Sequence, residues 1–430
     1  MTDSSVMTKR EHFIALEWLR FLLGIYIVFF HTFHYDKFPS WVNKITELGF
    51  FSTSTFFVLS GFLLAHIYLK NHNTENVCMS ESAKTFLAKR FANLYPIHIG
   101  SLLITLLIVS SLPYLNINDG DLDASIRFVV YDVNNHTPYE QLKHWMDNTE
   151  LSIAFFMNAF MLQAWNPYYL TFNAPAWSVS TLFFLYLLFP YISVKLDKIK
   201  KPLLAIMIVN LIYLIPVLIV VIYSDYGMPE TGFLHRNPII RLPEFICGIL
   251  LCSFFHKRKS KYGSKPLSKN HIFWLVFLIV SSLLLASYLL YVAQYVTEKG
   301  NISYYFLHDG LLLPAQLSLI YLCLFIKAPK NKKILNISMK LGACSLSMFA
   351  LHVPIYLVYS RIQKVLSGDP ILCFTDLSSC IALAGDKNMW YYPIYIIITI
   401  LICVLFQEHF VSKIRNKIEN KLLRKNVVIK

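Results

Sequence analysis

The chain has 430 residues, of which 56% are hydrophobic and only 15% charged. Successive apolar runs of about twenty residues exclude a soluble globular fold and predict a polytopic membrane protein. The formal charge of +14 does not mark a nucleic-acid surface, because the basic residues are divided among the loops between apolar runs.

The predicted fold is an all-α transmembrane helix bundle of about ten spans, near 13–34, 47–69, 91–113, 175–194, 202–223, 237–255, 271–294, 303–326, 341–360 and 391–410. The first apolar run has no small-residue cleavage site, which predicts a retained span rather than a signal peptide. Most of the 39 lysines and arginines fall in six segments, 1–12, 70–90, 195–201, 256–270, 327–340 and 411–430, which this count puts on one side. The positive-inside rule makes that side cytoplasmic, together with both termini. Residues 152–164 are apolar but short, and counting them as a crossing would invert everything after them. We read 152–174 as re-entrant or interfacial structure covering the outer end of the bundle. No linker to a second globular domain and no internal repeat is visible, so the chain divides into a membrane domain, 1–410, and a basic cytoplasmic tail, 411–430.

The first span carries Glu17, Arg20 and His31 in an otherwise apolar helix. An arginine in the bilayer costs at least ~2.5 kcal/mol, so it is kept for a partner or a task. At about 100° per residue, Arg20 and His31 share one face roughly 16 Å apart, with Glu17, Gly24 and His34 close to the same stripe. A polar track and a helix–helix glue both fit that stripe.

Later spans add further polar groups. Ser60-Gly61 in the second suits close helix approach more than a nucleophile. Lys84, Lys89 and Arg90 gather where the third span begins, as topology alone requires, or as an anionic ligand's phosphates would. An acidic outer loop follows, with Asp119, Asp121, Asp123, Asp132, Glu140, Asp147 and Glu150, and reads as solvated. Asn173, Trp177 and Ser178 open the fourth span, where Pro175 and an interfacial tryptophan have ordinary structural reasons, and where a polar ligand's hydroxyls would also fit. Arg241 and Glu244 stand three apart at the sixth span, where they can neutralise one another. His308 and Asp309 lie at the outer end of the eighth, and His352 midway along the ninth. Five cysteines, Cys247, Cys252, Cys323, Cys344 and Cys403, sit in or near spans as packing residues, and Cys78 is cytoplasmic and reduced. Cys373 and Cys380 share the last outer loop, where a structural disulfide is expected if that side is oxidising. No Cys/His spacing resembles a zinc site, so no metal is expected.

Taken in order, the pieces resemble the membrane-bound acyltransferase family 3, integral membrane O-acyltransferases of bacterial glycans. Arg20 and His31 match its arginine, ten residues, histidine signature, after a Glu17-Trp18-Leu19 lead-in. Phe57-Val58-Leu59-Ser60-Gly61-Phe62, Trp177-Ser178-Val179-Ser180, Arg241 to Gly248 and Ser345 to Pro354 resemble its later motifs. Two positions depart from the pattern. Asn93 stands where the second arginine of an Arg-x-x-Arg pair belongs, and Leu182 stands where a glutamate commonly follows the Trp-Ser motif.

The resemblance implies an enzyme of a bacterial inner membrane that takes an acetyl or other acyl group from cytoplasmic acyl-CoA. The acceptor is a hydroxyl of a surface or lipid-linked glycan, such as lipopolysaccharide, on the far side. Acetyl-CoA is a substrate, and no permanently bound cofactor is implied. Lys89, Arg90 and Arg20 would hold the donor, and Glu17 would neutralise Arg20. His31 would be the general base, or the site of a covalent acyl intermediate. Asn173, Trp177, Ser178, Arg241, Glu244 and His352 are the acceptor-side candidates. The partners implied are membrane lipid and the glycan, with no nucleic acid. The alternative is a secondary transporter or transmembrane acyl carrier without its own glycan site, since intramembrane charges also mark transport paths, although no matching interrupted segments occur in two halves of the chain.

Overall fold

The computed structural model describes residues 13–33, 38, 46–111, 125–224, 226–293, 302–367, 370–383 and 388–423. His34, Asp119, Asp121, Asp123 and the last residues of the basic tail lie outside them.

The described residues form a helical bundle. Its helices are α1 (Ile14–Thr32), α2 (Gly49–Tyr68), α3 (Ala83–Ser111), α4 (Asn148–Ala159), α5 (Trp177–Asp197), α6 (Pro202–Tyr223), α7 (Glu230–Arg236) and α8 (Leu242–Tyr262). There follow α9 (Lys269–Ala293), α10 (Ile302–Phe306), α11 (Leu313–Cys323), α12 (Lys332–Ser367), α13 (Tyr392–Leu405) and α14 (Ser412–Leu423). Nine stretches among the described residues are long and apolar enough to cross a membrane, with α10 and α11 counted as one. The remaining predicted span, the sixth, is α8, 21 residues long, whose final turns carry Lys257, Arg258, Lys259 and Lys261. Among the described residues, strand structure is confined to two small antiparallel pairs, β1 (Leu69–Lys70) with β2 (Cys78–Met79) and β3 (Phe128–Val130) with β4 (Lys143–Trp145).

Helix starts follow local chemistry. Asp147 and Glu150 make a reciprocal capping box at α4. The Ser82 hydroxyl accepts from the Thr85 amide at the start of α3. Prolines open α6 and α8, where their missing N–H costs nothing.

Two helix pairs form the centre, and both run parallel. Along α1 and α12, Glu17 faces Gly342, Gly24 lies beside Ser345 and Met348, and His31 meets His352. A side chain at Gly342 would collide with Glu17, so the glycine sets this approach. Along α2 and α8, Gly61 abuts the Phe245 carbonyl, Gly248 abuts the Val58 carbonyl, and further on His66 meets His256. Neither glycine has room for a Cβ.

The second pairing decides how 152–174 is arranged. For α2 and α8 to run the same way, an odd number of helices must cross between them, and α3, α5 and α6 are three. A crossing at 152–164 would turn α8 round. Helix α4 has 12 residues, about 18 Å at 1.5 Å per residue against an apolar core of roughly 30 Å. Its Ile153, Phe155 and Phe156 are exposed, and the chain after it folds back onto the bundle. His98 of α3 bonds the Asn158 carbonyl at 2.6 Å. Ser180 of α5 donates to the Met161 carbonyl at 2.6 Å. The segment is interfacial and covers that end.

Three predictions are redrawn. The third span starts at Ala83, so Lys89 and Arg90 lie inside α3 rather than ahead of it. The eighth is broken at Leu307–Leu311, where Gly310 has φ +107°, a conformation that favours glycine. His308 and Asp309 sit in that break and are buried. Residues 412–423 of the basic tail form α14, which continues from α13 through a π turn (Phe406–Val411) and packs on α3. Cys373 and Cys380 are disulfide-bonded, joining the short helices Pro370–Thr375 and Leu377–Ala382.

Candidate active site

The α1–α12 seam delivers two histidines to one point. His31 Nδ1 lies 3.1 Å from His352 Nε2 and 3.1 Å from the Ile27 carbonyl. His352 Nδ1 lies 2.8 Å from the Met348 carbonyl. A carbonyl can only accept, so the His352 proton sits on Nδ1 and its Nε2 accepts. His31 Nδ1 then donates, and the basic lone pair of His31 falls on Nε2. Two helical carbonyls thus fix both tautomers, with the second histidine orienting the first. Tyr395 donates to the His352 carbonyl at 3.0 Å, and Thr32 bonds Tyr392 at 2.8 Å, bracing the pair from α13.

Arg20 occupies the other half of the same α1 face. It bonds Glu17 Oε2 at 3.2 Å and lines a cavity of about 320 Å³ with Ser60, Lys89, Arg90, Asn93, Tyr186, Gln407 and Arg415. Lys89 is paired with Glu81. Arg90 donates to the Tyr68 hydroxyl at 2.6 Å, and its Nε is buried with no hydrogen-bond partner. Arg415 has Glu419 at 4.0 Å. Gln407 lies in the π turn and accepts from Ser347 at 2.9 Å. Among the described residues, four cationic side chains from α1, α3 and α14 therefore face one cavity, and Arg90 has no carboxylate of its own. Such a surface suits a phosphate-bearing anion.

The charges at α8 are arranged differently. Arg241, Glu244 and Asp309 are 2%, 1% and 0% exposed. Arg241 Nη1 reaches the Tyr213 hydroxyl at 2.8 Å, the His308 carbonyl at 2.8 Å, Asp309 at 3.2 Å and Glu244 at 3.3 Å. Its Nε and Nη2 both donate to the His235 carbonyl, at 2.9 and 2.5 Å. This knot joins α6, α8 and the broken helix; every donor nitrogen of Arg241 is engaged in it, while Glu244 Oε2 is buried with no hydrogen-bond partner among the described residues.

The remaining acceptor-side candidates divide. Asn173 donates to the Ala350 carbonyl at 2.7 Å, two residues before His352, and its Oδ1 is buried with no partner among the described residues. The Ser178 hydroxyl turns back to the Pro175 carbonyl at 3.0 Å. Trp177 packs 5.1 Å from the His235 ring and 6.1 Å from Phe57. Asp132, outside the crossing helices, receives His235 at 3.2 Å and also pairs with Arg236. Burial alone would raise its carboxyl, but the His235 hydrogen bond and the charges of His235 and Arg236 prevail and hold it at about 2.

Sequence reasoning missed Arg415, Tyr68, Gln407 and Tyr395. Arg415 had a readable signal, because no glycine and no proline after Pro393 interrupts 394–423 to end the last helix.

The family model described as Acyltransferase domain matches residues 13–408. Protein 2 in picA locus of Rhizobium radiobacter is 27% identical over 175 residues, 39% of this chain and 76% of that protein. Acyltransferase MdmB of Streptomyces mycarofaciens is 30% identical over 149 residues, 34% of this chain and 29% of the relative. No solved structure matches significantly.

Proposed function

This chain belongs to the acyltransferase-domain family, and on that premise we propose that it moves an acetyl or other acyl group from acyl-CoA to a glycan hydroxyl. The donor's phosphates rest on Arg20, Arg90 and Arg415 at the basic end, and its thioester points along α1 towards His31. The observation that carries this reading is the shared α1 face, with a cationic cavity at Arg20 and an oriented imidazole at His31.

In the chemical step His31 Nε2 takes the acceptor's hydroxyl proton as the oxygen attacks the thioester carbonyl. The new C–O bond forms, the C–S bond breaks, and the imidazolium returns its proton to the departing thiolate. A neutral imidazole near pH 7 suits that exchange. His352 holds the tautomer and spreads the transient positive charge. The basic end is the cytoplasmic side in this reading, with both termini there, and the α4 end faces the glycan of a bacterial surface. Membrane lipid surrounds the bundle.

Transfer from labelled acetyl-CoA by the purified protein tests the proposal. His31→Ala is expected to lower turnover ~10²–10⁴-fold, the range for a positioned acid–base group, with an unchanged melting temperature. Full activity in that variant overturns the assignment. Deleting the gene should remove an O-acyl signal from the cell's glycans, whereas a transporter or acyl carrier leaves those linkages in place when another transferase makes them.

A further inference from the structure

A second cluster lies at the lysine- and arginine-rich end, outside the cavity. His66 is in the last turn of α2, and Cys252 and His256 are one turn apart on α8. The ligand atoms of all three lie within 4.8 Å of one another, and His66 Nδ1 is 3.1 Å from His256 Nε2. In a tetrahedral zinc site with bonds of about 2.0–2.1 Å, two ligating nitrogens stand roughly 3.3 Å apart. We propose that His66, Cys252 and His256 form a binding site for a thiophilic transition-metal cation, zinc fitting best, that ties α2 to α8.

The donor set supports that class. One thiolate and two imidazoles suit zinc, whereas calcium and magnesium require oxygen ligands. Cys252 is fully buried and His66 nearly so, with Phe13 and Phe62 around the His66 ring, an apolar shell of the kind that strengthens metal–ligand bonds. Support continues outward. The His72 ring stacks on His256 with centroids 3.7 Å apart. His72 Nδ1 bonds Asp197 at 2.9 Å, and this fully buried carboxylate also accepts from the Asn73 amide at 2.8 Å. A buried carboxylate one ring away offsets the net charge that a dication and one thiolate leave. Binding requires the Cys252 thiol to lose its proton to solvent, so it releases one proton per cation. Leu63, Leu64 and Ile67, the neighbours of His66 in sequence, line the basic cavity. A metal here would hold one wall of that cavity still.

The test uses the purified full-length protein with Cys78→Ser, which removes the exposed thiol, loaded with Co²⁺ as a coloured stand-in for zinc. The expected result is about one cobalt per chain, as for a single three-ligand site, with a thiolate-to-cobalt absorption band that zinc displaces. Cys252→Ser should abolish the band. His66→Gln leaves the buried thiol in place, so it covers the case in which Cys252→Ser does not fold. It should weaken binding by more than the ~10–100-fold typical of losing an outer partner. Absence of the band in the Cys78→Ser parent overturns the proposal. So does a band that survives Cys252→Ser, or affinity unchanged in His66→Gln. A plain His66–His256 hydrogen bond predicts the first of these outcomes, and cobalt held elsewhere on the chain predicts the other two.

Discussion

The two groups of intramembrane charge, at Arg241 and around Arg20, show how the same residue types serve opposite ends. Arg241 has every donor nitrogen engaged and two carboxylates beside it. Around Arg20 the cations outnumber the acids, Arg90 leans on a tyrosine, and the groups border a cavity. A buried charge must be paired to be tolerated, while a charge that awaits an anion needs open space and a weak resident partner. Sequence spacing alone gives both as arginines near glutamates, Glu17 with Arg20 and Arg241 with Glu244. What separates them is burial.

Removing an arginine from each group breaks that contrast in different currencies. Arg241→Ala strands Glu244 and Asp309 in the core and should cost about 3–5 kcal/mol, the usual result of halving a buried pair, read as a lower melting temperature and poor membrane yield. An Arg241→Ala protein with wild-type stability would dissolve the distinction. In the cavity, Arg415→Gln should raise the KM for acyl-CoA roughly tenfold, about 1.4 kcal/mol of lost charged hydrogen bonding, with kcat and melting temperature unchanged. A fall in kcat with KM unaltered would place Arg415 outside the donor site.

The smallest effect concerns Asp132, at the far end. Its carboxyl is held at about 2 against an ordinary 3.8, a depressed folded value. Its stabilisation is therefore complete above about pH 4 and fades as pH falls towards 2. Asp132→Asn should lower the melting temperature modestly at pH 7, and the gap to wild type should shrink on acidification. A gap that stays constant with pH would exclude ionisation as its source.

Much of this arrangement can be read from spacing. Glu17, Gly24 and His31 recur every seven residues, the interval that keeps one face on a partner helix, and the structure puts α12 there. His352 is visible as an intramembrane histidine, but its contact with His31 spans 321 residues, and no local pattern encodes it. The same holds for His66 and His256, 190 apart. Lys89 and Arg90 are legible from charge, whereas Arg415 is hidden by reading a basic terminus as solvated. The break at Leu307–Leu311 is missed because apolar residues flank His308-Asp309-Gly310 on both sides, so hydropathy averages it away. Asn93, where the family pattern has an arginine, lines the same cavity as Arg415. A cation missing from one helix can thus be matched by one on another.

The parallel pairing of α2 with α8 makes the bundle an instrument for its own orientation. Parity links every loop to every other, so the sidedness of one residue fixes them all. Nature has supplied the marker, because Cys78 is an exposed free thiol in β2, while the other free cysteines are buried and two are locked in a disulfide. A membrane-impermeant maleimide applied to intact cells and then to opened ones would report on that single sulfur, and through it on which compartment feeds the cationic cavity.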